Sequence, residues 1–444
     1  MNFSPTDSNI YASLFTNSQV ATIFSDEQSI RSMLEVEAAL AQVQGKLDVI
    51  PASAVAHIVN AANTLEPNYA FLQASTERAG LPIIELVSQL REAVRQGDSD
   101  AASYVHWGAT TQDIMDTGLV LQMRDALQII ESVLYQVIDN LAQLANHHRY
   151  TLMAGRTHSQ QALPITFGLK VVGWLAPLLR HRDRLDEIKP RLLVVQFGGA
   201  GTLASLEEQG VAVQQALAQE LGLGIPLIPW HAQRDNLAEI AGWLSLVSGS
   251  LAKMAQDIIL MAQTEVGELR ESSDMSRGGS STMPQKSNPV ISEVIIAAAR
   301  TNATHLAAIH NALIHEHERA THSWQMEWLN LAQMFALTSA ALDKATFLSK
   351  NLNVNAEQMG QNVTASNGLM LAERVSFVLC QSMSRTEAKT LVKEAVQVVV
   401  AEERHLVDVV SEMCDADVDW ARLKDEKGYL GATDDFVQQV LDAV

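Results

Sequence analysis

Residues 278 to 289 read GGSSTMPQKSNP. The string sets two glycines, two serines, a lysine and an asparagine around Met283-Pro284, between two strongly helical stretches. Glycines let backbone N–H groups approach a bound group, and a lysine, hydroxyls and a carboxamide are the donors an anion takes. The competing reading is a surface turn with a chance lysine, because loops both carry function and merely connect.

Three further segments hold residues of the same kind, each with a structural alternative. In His106-Trp107-Gly108-Ala109-Thr110-Thr111-Gln112-Asp113 the hydroxyls and the glutamine suit neutral hydrogen bonds to a carboxylate, or else the turn caps a helix. In Gly155-Arg156-Thr157-His158-Ser159-Gln160, closed by Pro164, the histidine either moves a proton near neutral pH or sits as a helix-end or core residue. In Pro229 to Asp235, Trp230, His231, Gln233 and Arg234 can clasp a planar, multiply charged acid, with a bidentate contact from Arg234. There the alternative is a helix start capped by Asp235 and stapled by Trp230. A fourth cluster, His315-Glu316-His317-Glu318-Arg319, lacks the HExxH spacing of zinc sites and reads as an exposed, salt-bridged helix end, with no metal.

Gly279-Ser280-x-x-Met283-Pro284-x-Lys286-x-Asn288 resembles the signature of the fumarase/aspartase superfamily, whose members make or break a bond beta to a carboxylate without metal or organic cofactor. HWGATTQD is similar to its first conserved region as written in the adenylosuccinate lyase and carboxymuconate cycloisomerase branches, and Thr157-His158 to its second. PWHAQRD and the QFGGAGTL of residues 196 to 203 resemble the cycloisomerase branch. The chemical problem that comes with this resemblance is a scarcely acidic proton beside a carboxylate, whose loss creates a dianion that preorganised donors must stabilise.

By that resemblance Ser280 is general base in the eliminating direction and acid in the adding one, Lys286 stabilises the dianion, and His158 donates a proton or polarises the departing group. His106, Thr110, Thr111, Gln112, Arg156, Thr157, Gln233, Arg234, Ser281, Met283 and Asn288 are the implied substrate-binding residues. The implied activity is an intramolecular addition of a carboxylate to a double bond of a tricarboxylate. An adenylosuccinate lyase-type elimination competes with it, and a catalytically silent scaffold is the alternative from another class.

The elements that must position these residues read as helices throughout. With 444 residues, 47% hydrophobic, 18% charged and 5% aromatic, the chain suits aliphatic helix packing and exceeds one core. Leu237, Ile240, Leu244, Val247, Leu251, Met254, Ile258 and Met261 step by three and four, the spacing of a seam between near-parallel helices, and the steps extrapolate to Glu265 and Glu268. Ile30, Met33, Leu34, Ala38 and Val43 form one face of an early helix, with Arg31, Glu35 and Glu37 on others. Pro289 can open a further helix whose apolar face holds Val290, Val294, Ala297, Ala298 and Leu306.

The expectation is an all-α protein without alternating strands: an N-terminal helical domain (1–110), a central long-helix antiparallel bundle (111–350) and a C-terminal helical domain (351–444). The resemblance adds a homotetramer with composite active sites. Fifty-one acidic against 31 basic residues give a net charge of −20, which disfavours nucleic acid and anionic lipid as partners. Cys380 and Cys414 read as buried or incidental thiols of a reducing compartment. The absence of a signal-like N-terminus and of a membrane-length apolar run predicts a cytoplasmic protein.

Overall fold

The computed structural model describes residues 4–272, 278–279, 282–283, 285–319 and 322–444. Ser280, Ser281, Arg277 and Pro284 lie outside the described residues. Along the chain run α1 (Asp26–Lys46), α2 (Ala52–Thr64), α3 (Tyr69–Ala79), α4 (Ile83–Gly97) and the 37-residue α5 (Thr111–His147). There follow β1 (Leu152–Thr157), β2 (Gln160–Thr166), α6 (Phe167–Leu192), α7 (Gly210–Leu221), α8 (Asp235–Met261) and β3 (Leu269–Arg270). The chain ends with α9 (Val290–Ala312), α10 (Ser323–Asn351), β4 (Asn353–Val354), α11 (Ala356–Thr364), α12 (Ala372–Leu379), α13 (Arg385–Glu402), α14 (Leu406–Met413) and α15 (Thr433–Leu441). Among the described residues the molecule is all-α, as the sequence predicts, apart from two short antiparallel strand pairs.

Contacts divide it into two compact units. One comprises Met1–Val133, His181–Ser248 and Ala298–Ala341; the other comprises Leu134–Arg180, Gly249–Ala297 and Leu342–Val444. The division falls inside each of the long helices α5, α6, α8, α9 and α10.

Local rules explain the helix ends. Ser25 caps α1 by accepting from the Gln28 amide at 3.2 Å, Asp26 and Glu27 fill its first turn and Lys46 its last, each sign matching the helix dipole. Ser384 and Glu387 form a reciprocal capping box on α13. At α8 the cap is the Arg234 carbonyl, which accepts from Leu237 and Ala238, so Asp235 is the first helical residue rather than a side-chain cap.

The predicted α8 seam is buried from Leu237 to Met261. The helix stops there, however, and the extrapolation to Glu265 fails because the chain turns: Glu265 is exposed while Glu268 lies buried beyond the turn. Among the described residues α8 is, by length and composition alone, apolar enough to cross a membrane, against the expectation that no run reaches that length, but its seam is buried in the protein. In the first unit Asn302 donates to Ser248 at 3.2 Å and to Thr338 at 2.9 Å, tying α8, α9 and α10 together by polar bonds inside their packing.

Two predicted faces change. In α1, Glu37 is buried beside His106 instead of facing away. In α9 the buried face is Ile291, Ile295, Ala298, Asn302 and Ile309, so Val290 and Ala297 remain exposed. In the second unit the C-terminal helices enclose Val375, Leu379, Ala388, Val399, Leu406 and Val410, with free Cys380 and Cys414 at the edge of that core.

Candidate active site

In the first unit, α5 begins where the second motif predicts a helix start. The Asp113 amide donates to the Thr110 carbonyl at 3.0 Å and the Asp113 carboxylate accepts from the Thr110 amide at 2.9 Å, so Asp113, not a threonine hydroxyl, closes the first turn of α5. Asp113 is fully buried and also accepts from the Gly198 amide at 3.0 Å, while His231 Nε2 lies 2.7 Å from its Oδ1. The 196–203 loop and the 229–235 segment are thereby fastened to the start of α5.

Arg234 is 2% exposed. Its guanidinium donates to Glu327 at 2.9 and 2.6 Å and to Asp116 at 2.6 and 3.1 Å, and it stacks over the Trp230 ring at 4.8 Å. Burial alone disfavours its charge, but the Asp116 and Glu327 carboxylates outweigh burial and hold it protonated. Arg234 was expected to bind a substrate carboxylate; instead the chain's own carboxylates occupy its donors. Gln112 is likewise an internal residue: its amide donates to Asp116 at 3.0 Å and to the His231 carbonyl at 3.1 Å. Gln233 beside it is exposed.

The 315–319 cluster departs from the expected helix end. The chain leaves helical geometry at Ala312 and folds back, so the three-and-four spacing rule does not apply to it. His315 is buried 3.5 Å from Glu327. Arg319 reaches Gln112 Oε1 at 3.1 Å and Thr110 Oγ1 at 3.2 Å. Arg319 is therefore a cation at the start of α5, beside Thr110 and Thr111, that sequence reasoning missed. Its only sequence signal is an arginine closing a run of alternating histidines and glutamates. Among the described residues no group of three or more His, Cys, Asp or Glu side chains is placed to hold a metal ion.

His106 holds a left-handed backbone, φ 62°, with Nδ1 2.5 Å from Glu37. Burial pushes its imidazole pKa down, but the Glu37 charge and hydrogen bond outweigh burial and leave it above the usual 6.5. A raised histidine contributes its stability below the unfolded value and loses it as pH rises through the folded one. The thermal-midpoint advantage of the wild type over His106→Asn is therefore expected to be greatest below pH 6.5 and to shrink at higher pH. A pH-independent difference would refute the pairing.

In the second unit the His158 motif is a β-hairpin, not a helix end. Thr157 pairs with Gln160, and the two turn residues, His158 (φ 50°) and Ser159 (φ 62°), are both left-handed, as a two-residue hairpin turn demands. Thr157, His158 and Ser159 are exposed at its tip. Arg156 points back from the tip and donates to both oxygens of buried Glu268, at 2.9 and 2.7 Å. Glu268 also accepts from Asn362 at 2.8 Å. Arg156, expected to bind substrate, thus holds the hairpin.

The residues following Glu268 organise the first motif. Arg270 pairs with Asn353 across β3 and β4, and the Glu271 carboxylate accepts from the Ile291 and Ser292 amides at 3.0 and 2.6 Å, capping α9. Gly279 bridges Ser287, and the Asn288 amide donates to the Gly278 carbonyl at 2.9 Å. Arg270, Glu271, Lys286 and Asn288 line one cavity of about 320 Å³. Lys286 and Met283 are exposed and Asn288 is half-buried. Gly278 has φ +68°, and a Cβ there would stand 2.2 Å from the Asn288 carbonyl oxygen. Gly278→Ala must displace Gly278 or Asn288, and with Asn288 as a substrate-binding residue it is expected to lower kcat/KM by about 100-fold. Unchanged steady-state kinetics in that variant would contradict the close approach.

Comparison with known proteins shows the family. A lyase family model matches residues 11–304. A 3-carboxy-cis,cis-muconate cycloisomerase of Acinetobacter baylyi is 44% identical over 409 residues, 91% of each chain. The chain belongs to the lyase family of the fumarase/aspartase superfamily. Within that superfamily it is also similar to trans-aconitate decarboxylase 1 of Mycosarcoma maydis, 39% identical over 97% of this chain and 87% of the relative. The crystal structure of β-carboxy-cis,cis-muconate cycloisomerase from Acinetobacter calcoaceticus superposes with a TM-score of 0.92 at 39% identity, covering 98% of this chain and all of the other. As a member of this superfamily, the chain presents its lysine, its asparagine and its exposed histidine on the two motifs that carry the resemblance.

Proposed function

We propose that this lyase-family enzyme cycloisomerises 3-carboxy-cis,cis-muconate to a carboxymuconolactone, the reverse of a beta elimination, in protocatechuate breakdown. The observation that carries the reading is the basic cavity of Lys286, Asn288 and Arg270 in a chain of net charge −20. A local cationic patch of that kind favours a small anion such as a polycarboxylate. Cycloisomerase relatives at 39 to 44% identity along nearly the whole chain support the assignment.

In this mechanism one substrate carboxylate oxygen adds to the conjugated double bond, closing a five-membered lactone. The electron pair moves to the carbon beside another carboxylate, giving the dianion that Lys286 and Asn288 stabilise. Ser280 then delivers a proton to that carbon, forming the C–H bond, and recovers one from solvent. His158, on its exposed hairpin tip, assists proton transfer or orients a carboxylate, together with Thr157. Thr110 and Thr111 on a neighbouring subunit complete the site in a homotetramer; Leu246, Leu260, Trp328 and Leu329, exposed on the long helices, support such self-association.

Loss of diene absorbance on incubation with the triacid tests the assignment, and unchanged absorbance at high enzyme concentration removes it. A second reading follows from the decarboxylase relative: trans-aconitate is also an unsaturated tricarboxylate, and release of carbon dioxide from it would favour that activity. Release of fumarate from adenylosuccinate would instead favour the elimination branch.

A further inference from the structure

We propose that Arg270 binds the third carboxylate of the substrate in the Lys286 cavity and thereby selects tricarboxylates over dicarboxylates. The inference rests on reading that cavity as the substrate site. Arg270 lines it together with Lys286 and Asn288, and at about 320 Å³ the space suits a compact organic acid.

Two described arginines on the motifs are committed to carboxylates. Arg156 is held by Glu268, and Arg234 by Asp116 and Glu327. Among the described residues no carboxylate pairs with Arg270. Glu271, the acidic residue beside it, directs both carboxylate oxygens to the first amides of α9 rather than to the Arg270 guanidinium. The guanidinium also rises from a fixed base. Arg270 pairs with Asn353 across the strands, and the Asn355 amide donates to the Glu268 carbonyl at 3.0 Å.

Lysine and arginine would divide the substrate by chemistry. Lys286 is a point charge suited to the carboxylate that becomes a dianion, with Asn288 as its neutral partner. Arg270 offers a planar fork that matches a carboxylate of fixed orientation. A substrate lacking that carboxylate gains nothing from the fork, so discrimination between acids follows from one side chain.

Titration calorimetry with tricarballylate and glutarate, which differ by one central carboxylate, tests this on the full-length protein. The wild type is expected to bind tricarballylate more tightly. Arg270→Gln should weaken tricarballylate about tenfold or more while changing glutarate by less than about twofold, and Arg270→Lys should fall between. Because Arg270 is exposed, circular dichroism and thermal midpoint should match the wild type. Equal loss for both acids, no loss for tricarballylate, or no preference in the wild type would overturn the proposal. If the calorimetric contrast holds while carboxymuconate is not consumed, the cycloisomerase reading fails and the role of Arg270 stands.

Discussion

Ser280→Ala is expected to lower turnover of carboxymuconate by about 10²–10⁴-fold, the range a positioned general acid or base contributes. A hydroxyl is a poor acid and a poorer base unless its oxyanion is stabilised. Lys286, six residues on, and the neighbouring glycine amides are the groups available for that stabilisation. The loss should appear in kcat rather than KM, since the proton moves only in the chemical step. Binding of tricarballylate and thermal stability should be nearly unchanged. A variant with wild-type kcat would remove Ser280 from the mechanism and pass the proton to another group, with His158 first to be examined.

Arg234→Met is expected to act on stability instead. It leaves the buried carboxylates of Asp116 and Glu327 without their shared cation, and breaking such a buried pair from one side costs about 3–5 kcal/mol. The readout is the urea midpoint, which should fall with little change in slope. Trp324 and Gln112 also donate to Asp116, so the start of α5 should loosen together with the network, and proteolysis should cut there first. A midpoint within error of the wild type would show that the guanidinium is not the hub of this cluster.

The contrast between Arg234 and Arg270 shows what the sequence could and could not supply. Arg234 has the right neighbours for a substrate clamp, but its partners Asp116 and Glu327 lie 118 and 93 residues away. No local rule reveals that two carboxylates return to meet it. Arg270 stands outside every motif, in Glu268-Leu269-Arg270-Glu271, and nothing in that string marks it. Its place on the cavity that Lys286 also lines follows from the pairing of β3 with β4, which no local pattern announces.

Helices were legible wherever periodicity was long, as in the α8 seam. The β1–β2 hairpin was not, since strands of six and seven residues containing Gly155 and Pro164 carry little alternation. Its turn also uses His158-Ser159 in place of the usual Asn-Gly. The motif residues themselves were readable because their types are chemically costly to keep by accident. Which of them face substrate and which support the fold depends on burial, and burial is a tertiary property.

Proton NMR of the reaction run in D2O tests the central claim most directly. The diene signals of 3-carboxy-cis,cis-muconate are expected to disappear and a lactone to form with a single deuterium on the carbon beside a carboxylate. Intact diene at high enzyme concentration, or a product that has lost a carboxylate, would contradict it.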